Sequence, residues 1–256
     1  MSSFLHPGLG FARGLIGSPA NLWTPDQPGV TIEAWYNALG NVTSGGFIDS
    51  YVDKSINNRD IISDTAPKKP AVGEGFISFD GIDDVIDFSD AIVPTTDFTV
   101  FFLARAGTYD ATEDISQNYF FTDTGSTRYS LIRTSATAVR VSAGSVLDGS
   151  YPVIDGETFL FSATYQLGAN NAITYKNAAI YATDTETTLP ALSGIRFGGR
   201  TNALRIGQFD LYEAFFISSA IDSDYRQRAE GYICHNNGLA NLLAADHPYR
   251  NSPPTT

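Results

Sequence analysis

The chain has 256 residues, a formal net charge of −12 at pH 7 and 12% aromatic residues. So acidic a chain repels nucleic-acid phosphates and anionic membranes, and we expect neither as a partner. Its size and apolar content suffice for a full hydrophobic core, which excludes a disordered protein. The single cysteine, Cys234, excludes an internal disulfide and fits folding in a reducing cytosol, including that of a host cell where virus particles assemble.

The first 28 residues predict an extended arm, because they are rich in proline and glycine and show no hydrophobic period. Four glycines interrupt the apolar residues of this arm, so it predicts neither a signal peptide nor a transmembrane helix. Disordered segments are normally poor in apolar side chains, whereas this one contains several. We therefore predict that the arm, residues 1–28, docks on a partner through Phe4, Leu5, Leu9 and Phe11.

Short apolar runs separated by turn residues follow the arm and predict an all-β sandwich or jelly roll. The run 97–107 is nearly all apolar through its middle, which predicts a central strand buried on both faces. Asn170 and Asn171 tolerate the left-handed backbone conformation, so they predict a hairpin turn between the runs 158–166 and 172–182.

One helix is predicted near the C-terminus, where Asp222 can cap its first turn. Apolar side chains recur on one face of it, at Tyr225, Ala229, Tyr232 and Ile233. We expect Arg226 and Arg228 on the opposite, exposed side. Gly238 follows and can end the helix in the left-handed conformation.

The order of these segments resembles that of concanavalin A-like, laminin-G-type jelly-roll domains of the kind found in tailed-phage structural proteins. The stretch 51–70, YVDKSINNRDIISDTAPKKP, and the stretch 79–84, FDGIDD, are each similar to a motif of that family. A buried strand and a late helix stand in the matching places, so the resemblance covers residues 32–249. It implies one jelly-roll domain over residues 29–249, between the arm and a flexible tail, residues 250–256.

The stretch FDGIDDVIDF, residues 79–88, holds four aspartates and has two interpretations. Asp80, Asp83 and Asp84 offer hard oxygen donors, which suits calcium, although calcium takes about six to eight oxygens. Alternatively, Asp80 and Gly81 begin a turn, and Asp83 and Asp84 accept backbone N–H groups in the same corner. The sequence leaves both interpretations open.

Residue patterns typical of catalysis are not found in the sequence. Concanavalin A-like glucanases carry Glu-x-Asp-x-x-Glu, and none of the seven glutamates here begins that pattern. His6, His235 and His247 lack metal-ligand spacing, and Cys234 is expected to be a small core residue. We therefore predict no enzyme, no catalytic residues and no cofactor other than the calcium candidate.

Together with the apolar arm and the lack of a catalytic pattern, the resemblance implies a non-enzymatic accessory protein of a tailed-phage virion, which decorates the head or the tail after assembly in the host cytoplasm. Its predicted partners are other virion proteins, further copies of itself and a host-surface polysaccharide. The alternative is a free-standing carbohydrate-binding or glycan-cleaving protein. Alternation along the strands does not tell which loop aromatics would form a glycan groove: Trp23, Trp35, Tyr36, Tyr109, Tyr119, Tyr129 and Tyr151.

Overall fold

The computed structural model describes residues 22–39, 41–62, 68–88, 97–111, 118–124, 129–143, 145–166, 168–186, 194–199 and 206–256. Over these ranges the chain forms an all-β sandwich of two antiparallel sheets with one α-helix near the C-terminus, which confirms the predicted fold class. The predicted docking residues lie outside the described ranges: Phe4, Leu5, Leu9 and Phe11.

The strands are short, as the spacing of turn residues predicts. They are β1 (Ile32–Asn37), β2 (Val42–Ser44), β3 (Phe47–Tyr51), β4 (Ile61–Ile62), β5 (Ala71–Val72), β6 (Ile77–Asp80), β7 (Ile86–Phe88), β8 (Phe98–Ala106), β9 (Asn118–Asp123), β10 (Tyr129–Ser135), β11 (Ala138–Ala143), β12 (Ser145–Pro152), β13 (Thr158–Tyr165), β14 (Gly168–Lys176), β15 (Ala179–Glu186), β16 (Ile195–Phe197) and β17 (Gln208–Ile217). The α-helix, α1 (Ser223–Asn236), is followed by a short 3₁₀ helix (Ala240–Leu242). In the described part of the chain, no helix combines the length and apolarity needed to cross a membrane.

The larger sheet has eleven strands in the order β15-β14-β13-β8-β17-β6-β5-β3-β2, with β1 paired to β17 and β4 paired to β3. The smaller sheet has six strands in the order β12-β11-β10-β9-β16-β7. β8 lies in the middle of the larger sheet, between β13 and β17. Every residue of β8 except Arg105 is buried, which confirms the predicted central strand.

The two sheets face each other across an aromatic core. Phe102 of β8 is fully buried there, with its ring centroid 5.4 Å from that of Phe121 and 6.1 Å from that of Phe209. Phe121 belongs to the smaller sheet and Phe209 to the larger one. Because each aromatic side chain removes a large apolar area from water, this core supplies much of the driving force for joining the sheets.

The opposite face of the larger sheet is covered by α1 and by residues 22–30. Successive side chains of a strand point to opposite faces, so Phe101 and Leu103 lie under α1 while Phe102 lies between the sheets. Trp23 packs edge-on against Tyr225 of α1, with ring centroids 5.1 Å apart. We call this second layer the outer layer; with it, the central strands β8, β13 and β17 of the larger sheet are buried on both faces.

Asp222 caps α1 as predicted, because its carboxylate accepts the backbone N–H of Tyr225 at 2.8 Å. Gly238 follows the helix with a φ of 70°, also as predicted. The prediction that Arg226 is exposed is wrong: its side chain is buried and its guanidinium binds Glu230 at 2.6 Å. The two residues are four apart, so they meet on one helix face and enter the outer layer as a pair.

The predicted hairpin between the runs 158–166 and 172–182 is confirmed, because β13 and β14 pair antiparallel with Tyr165 opposite Ala172. Asn170 and Asn171 belong to β14 but come before the first residue of β14 that pairs with β13. A second turn, which the sequence did not predict, follows at Asn177 and Ala178, whose φ angles of 53° and 70° are left-handed. There the amide oxygen of Asn177 accepts the backbone N–H of Leu160 at 2.9 Å. β14 and β15 are therefore two strands of one hairpin, where the sequence pattern predicts a single run.

Within residues 250–256, which the sequence predicts to be a flexible tail, Pro254 is buried beside Gly231 of α1, while residues 251–253 and 255–256 are exposed. The backbone N–H of Trp23 donates to the carbonyl of Pro254 at 3.0 Å, and Leu22 forms an isolated β-bridge with Thr255. Arg228 also donates to the Thr255 carbonyl at 2.8 Å. The last residues of the predicted arm and of the predicted tail thus lie side by side; the division into arm, domain and tail stays a prediction.

Candidate functional site

The aspartate-rich stretch forms the turn between β6 and β7, and hydrogen bonds hold it closed. Asp80 accepts the backbone N–H of Ile82 at 2.7 Å, and Asp84 accepts the backbone N–H of Asp80 at 2.8 Å. Asp83 instead donates its own backbone N–H to Asp80, at 3.4 Å. The turn interpretation therefore accounts for the carboxylates of Asp80 and Asp84, while Asp83 takes part through its backbone.

The three predicted calcium ligands, Asp80, Asp83 and Asp84, lie together, with carboxylate oxygens within 4.8 Å of one another. Burial raises the pKa of the Asp84 carboxyl to about 6, and the neighbouring carboxylates of Asp80 and Asp83 act in the same direction. Calcium takes about six to eight oxygen ligands, so three side chains do not complete its coordination sphere. Calcium at this cluster stays a prediction, and the turn needs no metal to explain its geometry.

An open cleft of about 290 Å³ lies beside the aspartate turn, at one end of the sandwich. Strand ends and loops from both sheets meet there, and we call it the end cleft. Its lining residues are Asp80, Gly81, Ile82, Thr108, Tyr109, Asp110, Asn118, Ile206 and Gln208. Gly81 brings the turn close to β17, since a Cβ at Gly81 would lie only 2.9 Å from the Cβ of Gln208. Its φ of 79° also favours glycine at this position.

Two side-chain amides are oriented by hydrogen bonds at the end cleft. The oxygen of Gln208 accepts the backbone N–H of Thr108 at 2.9 Å, which leaves its NH₂ group as the donor end of an exposed side chain. The oxygen of Asn118 accepts from Asp110 at 3.2 Å, and its NH₂ group donates to Ile206 at 3.2 Å. Asn118 therefore ties two walls of the cleft together.

Arg133 of β10 holds the loop 107–110 in place from behind. It is 1% exposed, and its guanidinium donates to the carbonyl of Gly107 and to the carboxylate of Asp155. The same guanidinium lies 5.8 Å from the ring centroid of Tyr109, whose hydroxyl donates to the Thr134 carbonyl at 3.1 Å. With loop and ring both fixed, this wall is formed before a ligand arrives, which lowers the entropic cost of binding.

A second open groove, of about 310 Å³, adjoins the end cleft and shares Thr108 and Gln208 with it. On its wall Arg105 donates to Asp210 at 2.8 Å, and the Arg105 guanidinium lies 5.6 Å from the ring centroid of Phe76. The polar surface of the end cleft therefore continues along the start of β17.

Two fully buried carboxyl groups lie in the outer layer. Glu213 is fully buried and accepts the indole N–H of Trp35 and the amide of Asn237, each at 2.7 Å. Burial raises the pKa of Glu213. Glu230, also fully buried, accepts from Arg226 and from the hydroxyl of Ser162 at 2.7 Å. Both carboxylates are enclosed, so neither can contact a substrate in this structure.

Among the described residues, the functional candidates from the sequence lie at the end cleft, in the outer layer and in the core between the sheets. The aspartates border the end cleft, while His235 and His247 lie in the outer layer, next to Tyr249 and Glu230. Cys234 is buried and burial raises its pKa to about 12, which confirms a core residue. Among the aromatic candidates whose side chains are described, Tyr109 lines the cleft and the others are buried: Trp23, Trp35, Tyr36, Tyr119 and Tyr151.

Sequence reasoning missed the polar residues that line the cleft. Thr108, Asn118 and Gln208 stand at the ends of three separate strands and form no local motif. The signal that pointed to this place was Asp80-Gly81, a turn between strands. Pairing across the sheets, rather than spacing along the chain, brings the other residues to it.

No family model and no curated protein sequence matches this chain. Among solved structures, Trypanosoma rangeli sialidase in complex with sialic acid superposes with a TM-score of 0.57 at 10% identity, over 84% of this chain and 34% of that one. The binding domain of botulinum neurotoxin DC in complex with SialylT gives 0.55 at 10% identity, over 79% and 52%. Botulinum neurotoxin type C, which interacts with two ganglioside molecules, gives 0.51 at 10% identity, over 84% and 52%.

The chain spans about a third to a half of the length of these structures. At such identities the likeness establishes the fold alone. What the chain shares with the sialidase and with the toxin binding domains is the β-sandwich.

Proposed function

We propose that the protein is a carbohydrate-binding module that holds glycans in the end cleft. The cleft is the observation that carries the proposal, because it is open, pre-formed and built on the ends of rigid strands. Binding sites combine apolar walls with a few fixed polar groups. Here Tyr109 and Ile82, which is 77% exposed, offer the apolar surface. The amide of Gln208 and the carboxylate of Asp80 offer a donor and an acceptor for sugar hydroxyls.

The structures with similar folds support this choice of ligand class. They include a sialidase in complex with sialic acid and a toxin that interacts with gangliosides. These structures share only the fold with this chain. The case for a glycan site in the end cleft therefore rests on the residues that line the cleft in this chain.

We further propose that binding occurs without cleavage. Glycoside hydrolysis requires two carboxyl groups that reach the scissile bond, one of them as a proton donor. At the end cleft the carboxyl with the raised pKa is Asp84, which is 4% exposed and hydrogen-bonded to the Asp80 backbone. A sugar would contact Asp80 and not Asp84, which supports a binding role. Release of reducing sugar from a bound polysaccharide, abolished by Asp84→Asn, would instead support the glycan-cleaving alternative.

The biological setting we propose is a tailed-phage particle that carries the protein as a non-enzymatic accessory of its head or tail. The resemblance of residues 32–249 to jelly-roll domains of phage structural proteins supports this setting. The apolar residues of the predicted arm support docking on other virion proteins. The ligand would then be a polysaccharide of the host surface, and further copies of the chain would be neighbours on the particle.

Binding is tested with immobilised bacterial surface polysaccharides and purified protein. Gln208→Ala removes the fixed amide donor and should weaken binding about tenfold, since one lost hydrogen bond of about 1.4 kcal/mol corresponds to that factor. The matched control is Gln227→Ala on α1, which should bind like the wild type. If neither variant differs from wild type, or if no polysaccharide binds, the end cleft is not a glycan site.

The setting is tested by co-sedimentation with assembled particles. A chain that starts at residue 22 keeps Trp23, which is 4% exposed in the outer layer, and should therefore fold normally. It should fail to join particles if residues 1–21 carry the docking contacts. A shortened chain that still assembles, or a full-length chain that never accompanies particles, would contradict the accessory role.

A further inference from the structure

The end cleft is bordered by acidic groups. Asp80 and Asp110 line it, and the carboxylates of Asp83 and Asp84 lie within 4.8 Å of that of Asp80. Among the described lining residues there is no lysine, arginine or histidine. The charged side chains among these described residues are therefore all carboxylates.

Two of the arginines that the structure describes lie beside the cleft or the adjoining groove, and both are already engaged. Arg133 is 1% exposed and holds Asp155 together with backbone carbonyls behind the loop. Arg105 faces the adjoining groove, where it pairs with Asp210 at 2.8 Å. Neither guanidinium offers the paired donors by which arginine normally recognises a carboxylate ligand.

The remaining polar groups of the cleft suit a ligand that is rich in hydrogen-bond donors. The carboxylate of Asp80 and the hydroxyl of the exposed Thr108 accept hydrogen bonds. The fixed NH₂ group of Gln208 donates, and it suits a sugar hydroxyl or an acetamido oxygen. A carboxylate-bearing sugar would bring a second anion beside Asp80 and Asp83.

We propose that the end cleft selects neutral and amine-bearing sugars and rejects carboxylate-bearing ones such as sialic acid. This inference rests on the proposed function and adds the substrate class. It separates the chain from structures that share its fold, which include complexes with sialic acid and SialylT. One unit charge at contact distance in water changes an affinity by about fivefold, and this sets the expected discrimination.

The test uses three monosaccharide probes that share one ring: glucosamine, N-acetylglucosamine and glucuronate. Each is titrated into full-length protein at a slightly acidic pH that keeps the amine protonated, and affinities are read from NMR shifts. The reporting signals are the backbone amides of Gly81, Ile82 and Thr108 and the side-chain amide of Gln208. We expect glucosamine to bind at least as tightly as N-acetylglucosamine, and glucuronate to bind at least about fivefold more weakly.

A charge-matched pair of variants separates the cleft from the overall charge of the protein. Asp80→Asn with Asp83→Asn keeps the oxygen that accepts the Ile82 N–H, and it should reduce the discrimination to less than about twofold. Asp26→Asn with Asp246→Asn removes two exposed charges away from the cleft and should leave the discrimination unchanged. If both pairs reduce it equally, the net charge and not the cleft is responsible, and the inference fails.

Two further outcomes distinguish this inference from the proposed function. If glucuronate shifts the cleft signals as strongly as the other probes, the cleft binds sugars without charge selection, and only the inference is overturned. If no probe shifts these signals at any concentration, the end cleft is not a sugar site, and both are overturned.

Discussion

The two faces of the larger sheet are buried by different means. Between the sheets the core is aromatic and apolar, with Phe102 in contact with rings from both sheets. The outer layer combines apolar side chains with buried charges, including Glu213, Glu230 and Arg226. Both faces belong to the same strands, so the difference arises from what covers them.

The charges of the outer layer form a directional network. Glu230 joins Arg226 of its own helix to Ser162 of β13, and the Arg226 guanidinium lies 3.9 Å from the ring centroid of Tyr175. Glu213 of β17 joins the end of α1 to the indole of Trp35. The smaller sheet is held in position by a large surface of interlocking side chains. A single helix that rested on an apolar surface alone could slide along it. Hydrogen-bonded charges specify one position, although they add little net stability.

The largest effect should come from the inner core. Phe102→Ala removes a fully buried ring and should lower the free energy of unfolding by about 3–5 kcal/mol, measured by chemical denaturation. Phe47→Ala, at a side chain that is 49% exposed, is the control and should cost less than about 1 kcal/mol. Equal losses in the two variants would show that the aromatic core does not dominate stability.

Breaking the network of buried charges in the outer layer should lower the free energy of unfolding by nearly as much. Glu230→Ala leaves the guanidinium of Arg226 buried without its partner, which should cost about 3 kcal/mol in the same assay. Asp224→Ala breaks the exposed pair with Arg228 and should cost about 0.5 kcal/mol or less. If the two variants are equally stable, the burial of the Glu230 pair has no energetic consequence.

Asp84 extends the comparison, because it is a buried carboxyl to which none of the described residues offers such a cation. The pKa of Asp84 is raised to about 6, so between pH 4 and pH 6 the native state keeps a proton that the unfolded chain has lost. Stability from this group should therefore fall by about 2 kcal/mol as the pH rises through that range, and then level off. Asp84→Asn should lack this fall in a series of denaturation midpoints against pH. An identical pH profile in the variant would refute the assignment.

The smallest change in stability is expected when both charges of the outer network are replaced together. Arg226→Met with Glu230→Leu should stay within about 1 kcal/mol of wild type, because apolar residues of similar volume replace a costly desolvated pair. The difference should appear in amide hydrogen exchange, which we expect to be faster in α1 if the helix loses its fixed position. Unchanged exchange would mean that apolar packing alone holds the helix in place.

The elements that are determined by residues close together in the chain were predicted correctly from the sequence. The apolar run of β8 and the cap of α1 at Asp222 follow from sequence alone, and both are confirmed. The burial of Arg226 could not be predicted, since a charged residue is assigned to solvent unless its partner is known. The hairpin between β13 and β14 was predicted correctly, whereas the turn at Asn177 was missed because the residues on either side of it form one apolar run, which only strand pairing divides.

The end cleft likewise could not be predicted from the sequence, because its residues come from distant parts of the chain. Asp80 and Gly81 marked a turn, but Gln208 and Asn118 lie far along the chain and join it through the pairing of β17 and the contacts of β9. Their residue types are ordinary at strand ends. Only the three-dimensional pairing reveals that they share a cleft with the aspartates.

The two ends of β17 lie in different parts of the molecule. Gln208, the first residue of β17, lies at the end cleft. Ile217, the last residue, pairs with Ile32. Ile32 closely follows the segment in which Trp23 packs on α1. A strand of ten residues is about 33 Å long. If residues 1–21 hold copies side by side and the end cleft binds sugars, as we propose, the clefts would lie about one strand length away from the point where each described chain begins. Many weak sugar contacts would then act in parallel, and avidity rather than single-site affinity would set the strength of adhesion.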